Sequence, residues 1–211
     1  MTINWHWIFA HTDQFWDLTK QHVYLSLVPI VIGTVAALVL GLAAVQWTWL
    51  HTPLLIATSI FYAIPSIALF VVLLDFTGLS SATAIIPLSL FSLSVLYRNV
   101  VGGLQSVDPA TQQAASAMGF GRARRLLQVD LPIATPVILS GIRIAAVANV
   151  SMVSIAALIG LGGLGQLFTE GLQRFFMTEI LAGIVLIMAV AFAIDGLLVL
   201  TQRRLTPWAA R

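Results

Sequence analysis

The sequence predicts an all-α, polytopic membrane protein with five transmembrane helices, and three observations carry that class. Apolar residues fill 59% of the 211 positions and charged residues only 9%. Soluble domains carry about a quarter charged residues, so this chain cannot cover a water-facing surface. Charges are also missing over long runs, with no Asp, Glu, Lys or Arg from Gln21 through Leu74, from Phe76 to Tyr97, or from Ile144 to Thr169. Finally, these runs are too long and too evenly apolar for barrel strands, which are shorter and alternate. Helices are then the way to satisfy the backbone in lipid.

Taken in order, residues 1–22 hold Trp5, Trp7, Phe9, Phe15 and Trp16 among polar side chains. That pattern suits an amphipathic segment on the outer membrane face; a loosely attached end is the alternative. Asp13 and Asp17, with Lys20 the sole cation, do not resemble the basic start of a signal peptide. A spanning helix needs about 20 apolar residues. Spans are therefore expected near 23–45, 54–74, 82–101, 135–159 and 179–200, within a transmembrane domain of 23–202, followed by a tail of 203–211. In the first span Gly33, Ala37 and Gly41 recur every four residues and would form a smooth face for close helix contact. Pro65 falls inside the second span, where it kinks the helix and either shapes a pathway or serves packing.

Basic residues set the orientation. With the N-terminus outside, Arg122, Arg124, Arg125, Arg203, Arg204 and Arg211 fall on one side, with Arg98 and Arg143 at span ends there, against Lys20 and Arg174 opposite. That bias places the middle loop and the tail in the cytoplasm. The small net charge of +2 is spread between oily segments and serves topology rather than nucleic acid.

The middle loop, "DPATQQAASAMGFGRARRLLQVDLP" (Asp108–Pro132), is the polar exception. Asp108-Pro109 is a helix start, an N-cap followed by a first-turn proline. Gly119 and Gly121 bracket Phe120 and end or bend that helix. Arg122 to Val129 suits a second short helix, and Pro132 and Pro136 are expected to reset the chain before the fourth span. A connector could be much shorter. Such a loop fits docking to a partner, with Phe120 presented at the bend, and equally fits arginine contact with anionic lipid.

The same stretch resembles the cytoplasmic coupling loop, the "EAA" motif, of bacterial ABC-importer permeases. Gln113-Ala114-Ala115 is followed after three residues by Gly119, and after nine more by Val129, one residue, and Leu131-Pro132. The family usually has Glu where this chain has Gln113, which removes any salt bridge a carboxylate would make there. "HVYLSL", "YAIPSIALF", "LPIATPVILSGIRIA" and "AALIGLGGLGQLFTEGL" further resemble permeases of glycine betaine, carnitine and choline importers, over roughly His22 to the C-terminus. The resemblance implies a type I importer permease in a bacterial inner membrane. Its coupling loop would present Gln113, Ala114, Ala115, Gly119, Phe120, Gly121, Val129, Leu131 and Pro132 to an ATPase subunit. A second permease subunit, identical or paralogous, and an extracytoplasmic solute-binding protein would complete the machine. This chain would bind no cofactor; ATP and magnesium would belong to the partner ATPase.

Other signals stay open. "GLGGLG" (Gly160–Gly165) reads as a dinucleotide fingerprint only within a strand–helix unit. Following a span, it is instead a flexible outer turn or a re-entrant piece. Asp195 lies inside the fifth span, where a lone charge is costly. It is expected to pair structurally, with Arg203 or Arg204 nearest in sequence and Arg98 or Arg143 the alternatives. Asn149, Ser151 and Ser154 either line a solute path or bond helix to helix. A quaternary ammonium needs aromatic faces, for which Phe61, Tyr62 and Tyr97 are candidates. The histidines show no metal-ligand spacing, and no phosphate loop or nucleophile elbow occurs, so ATP hydrolysis is not expected of this chain. An intramembrane enzyme has only Asp195 and scattered Ser and Asn residues to work with. An ABC permease for amino acids or another small solute remains the alternative cargo reading.

Overall fold

The computed structural model describes residues 3–210; Met1 and Thr2 of the N-terminal segment and Arg211 of the tail lie outside them. Every regular element among these residues is helical. Four helices are long and apolar enough to cross a membrane, and a bent pair adds a fifth crossing if it counts as one span.

The N-terminal segment is docked rather than loose. A short helix α1 (Trp5–Ala10) starts at Asn4, whose side chain caps the Trp7 amide. The Asn4 amide donates to the Thr178 hydroxyl at 3.1 Å, and the Trp7 ring packs edge-on against Phe15 and Phe176. Helix α2 (Thr12–Gln46) then runs 35 residues. No break occurs at residue 22. At 1.5 Å per residue α2 is about 52 Å long, well beyond the ~30 Å hydrocarbon core.

The second expected span is a broken element. Helix α3 (His51–Ala63) and helix α4 (Ser66–Thr77) meet at 91°. Ile64 is extended (ψ 128°) because the ring of a following proline clashes with helical backbone, and Pro65 itself has ψ 127°. Neither helix alone reaches across the hydrocarbon core.

Helix α5 (Ser81–Gln105) packs along α2, and the small-residue stripe explains how. A Cβ on Gly33 would lie 2.5 Å from Ser92 Cβ, and one on Gly41 2.5 Å from Val100 Cγ1. The two backbones approach because nothing stands between them. Helix α6 (Pro109–Ala117) and helix α7 (Arg122–Arg125) form the middle loop. Helix α8 (Leu131–Ala156) completes the core, with Ala37, Leu96, Val100, Leu104, Ile138 and Ala145 of α2, α5 and α8 in one cluster. After α8 come a buried turn, helix α9 (Gln166–Gln173) and helix α10 (Met177–Leu205). Helix α10 stands at the flank, apolar and largely uncovered.

Three sequence expectations change here. The fourth span does not start afresh after Pro132. A π turn (Leu126–Asp130) joins α7 to α8, so helix continues from Arg122. Pro132 sits where the π turn passes into α8, so its missing N–H leaves one rung of the continuous helix open, and Pro136 lies inside the helix. Arg143 lies in the middle of α8, and Arg98 well within α5, rather than at span ends. The Gly160–Gly165 turn is not loosely exposed, because residues 161–165 are buried. Gln21 Oε1 accepts from the Gly163 amide at 3.0 Å. Buried His22 accepts from the Leu164 amide at 3.2 Å on Nδ1, and its Nε2 lies 3.0 Å from the Val150 carbonyl. Gly160, Gly162 and Gly163 have φ of 80°, 87° and 76°, left-handed values natural to glycine. The segment is thus a buried turn sewn to α2, and among the described residues no strand precedes it.

Candidate functional site

The middle loop is a built structure. The Asp108 side chain accepts from the Ala110 amide at 2.8 Å, and Pro109 takes the first helical position of α6. At the other end the Phe120 amide donates to the Ala115 carbonyl at 3.1 Å and the Gly119 amide to Ser116 at 3.0 Å. Gly119 sits at φ +83°. This is a glycine-terminated helix end of the kind that satisfies the last carbonyls. No atom lies within 4 Å of where a Gly119 or Gly121 side chain would begin, so both face open space. Gly121 has φ −67° and needs no glycine for its backbone.

The motif residues divide by exposure. Gln113, Ala114, Gly119 and Gly121 are exposed, Ala115 is buried, and Phe120, Val129, Leu131 and Pro132 are half-buried. Ala115 therefore holds α6 down while Gln113 and Ala114 face outward. Phe120 is not a bare plug, because the Arg124 guanidinium lies 4.5 Å from its ring centroid. Arg124 is itself steadied by Gln128 at 3.0 Å. The sequence reading missed Met118 and Leu127, which are 70% and 63% exposed. They add an apolar rim to the outward surface; the motif skips both positions, so no signal marked them.

One ion pair and one shared cleft mark where the loop meets the bundle. Arg125 Nε meets Asp130 Oδ2 at 3.3 Å, with Asp130 buried at the base of α8. The start of α6 lines an open cleft with Ala44, Thr48 and His51, where α2 turns into α3. A load on the loop therefore reaches α8 through continuous helix.

Comparison with known proteins decides what such a loop belongs to. Residues 25–207 match the model of the binding-protein-dependent transport system inner membrane component family. The chain belongs to that family. It is a multi-pass permease subunit, a transport component rather than an enzyme, and membership implies ATPase and binding-protein partners in general. Among its relatives is the osmoprotectant import permease protein OsmW of Salmonella typhimurium, 34% identical over 98% of this chain and 98% of that one. The glycine betaine/carnitine/choline transport system permease protein OpuCB of Bacillus subtilis is 28% identical, over 90% of this chain and 87% of that one. A chain from the crystal structure of an amino acid ABC transporter with histidines superposes with a TM-score of 0.80 at 19% identity, covering 97% of this chain and 100% of that one. That likeness shows the type I permease fold.

The permease separates the residues considered for a solute path. Phe61 and Tyr62 are exposed at the α3–α4 break. Tyr97 is fully buried and turned away, its hydroxyl donating to the His51 carbonyl at 3.2 Å with the two rings stacked. Asn149 is also fully buried, and its Nδ2 donates to Ser92 Oγ at 2.9 Å, a bond from α8 to α5. Ser154 is half-buried, and its carbonyl would lie 2.6 Å from a Cβ at Gly165. Ser151 is exposed and lines an open cleft with Arg143 and Asp195. In that cleft Arg143 binds Asp195 with both forks, Nε–Oδ1 2.8 Å and Nη2–Oδ2 3.0 Å. Asp195 is therefore paired across helices to α8, not along its own helix to Arg203 or Arg204.

Proposed function

We propose that this permease carries compatible solutes bearing a quaternary ammonium, such as glycine betaine, choline or carnitine. The observation that carries the cargo is the relationship to OsmW over nearly the whole of both chains, with relatives named for glycine betaine, carnitine and choline transport beside it. Two permease subunits, identical or paralogous, form the pathway. A solute-binding protein delivers cargo to the far end of the bundle, and the N-terminus lies outside. The loop of residues 108–132 faces the cytoplasm and seats in an ATPase subunit that binds ATP and magnesium.

The mechanism follows from stiffness. The ATPase grips the outward face of α6 around Gln113, Ala114 and Gly119, with Phe120, Val129, Leu131 and Pro132 shaping the bend behind it. Because α7, the π turn and α8 run on as one helix, a stroke on the loop tilts α8 as a rod. Gln113 offers an amide where the family pattern has a carboxylate, so docking rests on hydrogen bonding and shape rather than a salt bridge.

The test is uptake by proteoliposomes holding the permease, its ATPase and its binding protein. Radiolabelled glycine betaine, choline or carnitine should enter only with ATP. Uptake of amino acids alone would replace the cargo reading and leave the coupling reading standing.

A further inference from the structure

Arg98 is unlike Arg143, the other arginine set well within a long apolar helix. Arg143 commits its charge to Asp195. Arg98 lies on an exposed face of α5, and among the described residues no carboxylate pairs with it. Its guanidinium rests on two neutral groups of α3. Nη2 donates to the Ser59 hydroxyl at 2.8 Å, and the guanidinium carbon stands 5.8 Å from the Tyr62 ring centroid. The Tyr62 ring stacks on Phe91 of α5, with centroids 5.4 Å apart and planes 19° from parallel. Phe61, Tyr62 and Phe91 line a narrow cleft at the Pro65 break, closed on one side by Met152 of α8.

An ionisable group at membrane depth without a partner of opposite charge marks a functional site. A guanidinium fork is the group best shaped to receive a carboxylate on two parallel bonds. An aromatic face attracts a quaternary ammonium, which has no N–H to donate. Arg98 standing over Tyr62 shows that this ring already presents its face to a cation. Guanidinium and ring are close enough for one small zwitterion to touch both.

We infer that Arg98, Tyr62, Phe91 and Phe61 form a solute station within the permease, for a zwitterion carrying a quaternary ammonium and a carboxylate. Arg98 takes the carboxylate, and the aromatic faces at the break take the ammonium. The guanidinium gives up its place over Tyr62 as the solute's own cation arrives. The station sits where α3, α4, α5 and α8 meet, so a tilt of α8 through Met152 opens or closes it. This assignment rests on the compatible-solute reading above.

Glycine betaine and choline separate the two halves of the station, because choline has the ammonium and lacks the carboxylate. In proteoliposomes with saturating loaded binding protein, Arg98→Gln should lower the maximal rate of glycine betaine uptake about tenfold or more, the worth of a charged hydrogen-bond pair. Choline uptake should be kept or raised, because the competing guanidinium has left the Tyr62 ring, and that uptake also shows the variant folded. Tyr62→Leu should slow both solutes, and Tyr62→Phe should restore both. Equal loss of both solutes in Arg98→Gln would make Arg98 a structural residue and overturn the station. So would unchanged uptake of both. A wild-type complex that hydrolyses ATP yet moves no quaternary ammonium solute would instead refute the cargo reading, and the station would fall with it.

Discussion

Arg143 and Asp195 lie on different helices within the bundle, and each makes the other tolerable. A lone charge there costs about 2.5–3.5 kcal/mol on insertion scales. Asp195→Leu alone should therefore lower the melting temperature of the purified permease sharply. Arg143→Leu combined with Asp195→Leu should recover much of the loss, with a coupling of about 1–3 kcal/mol. Strictly additive losses would show that the pair carries no interaction. Gly119 makes a second case. Its φ of +83° and open surroundings mean that Gly119→Ala strains the backbone by about 1–2 kcal/mol, while Gly119→Trp adds bulk on the docking face. Gly119→Trp should insert normally in membranes and abolish ATP-driven uptake; full uptake would remove Gly119 from the coupling surface. At this scale the sequence announced that Asp195 needed a partner and that Gly119 ends a helix. It did not announce which arginine. Arg203 lies about 12 Å farther along the same helix at 1.5 Å per residue, whereas Arg143 is brought alongside by packing between α8 and α10, which spacing along the chain does not encode.

The elements differ in how far local sequence determines them. The glycine stripe of α2 was readable as an interface because four-residue spacing puts small residues on one helix face. Its partner, α5, was visible only in the fold. Gly33→Leu should force α2 and α5 apart, overpacking the seam by about 1–3 kcal/mol or more, and lower the yield of monodisperse permease in detergent. A variant with wild-type yield and melting would show that the seam adapts. Pro65 announced a disturbance but not its size, since a proline within a helix gives anything from a kink to a break. Here the extended Ile64 turns it into a 91° corner. Pro132 misled in the opposite sense. A proline before an apolar run reads as a boundary, yet the π turn carries the helix through it, with one backbone donor missing at the ring. The Gly160–Gly165 turn looked flexible because its anchors, Gln21 and His22, are more than a hundred residues away in sequence and bond to it only after folding.

For the whole molecule, the permease is a packed core with an exposed loop at one end. Helices α2, α5 and α8 form the rigid core, the broken α3–α4 element and the open cleft beside Asp195 flank it, and the loop of 108–132 stands clear. The class of fold was readable from charge-free runs, and the helix–bend–helix build of the loop from Asp108-Pro109 and the Gly119 and Gly121 bracket, because both are local properties. The outward rim at Met118 and Leu127 was not, because exposure depends on how α6 lies on the bundle. The account turns on that rim meeting an ATPase. The chain has no native cysteine, so Met118→Cys supplies a single reactive thiol on the outward surface, and Val185→Cys, on a 64% exposed stretch of α10, supplies a control. Cross-linking in membranes holding the assembled transporter should join position 118 to the ATPase subunit, in a manner altered by ATP, and should leave position 185 unjoined to it. Labelling of position 118 from the outside of the cell, or the absence of any ATPase adduct there in a transporter that is active, would contradict the account.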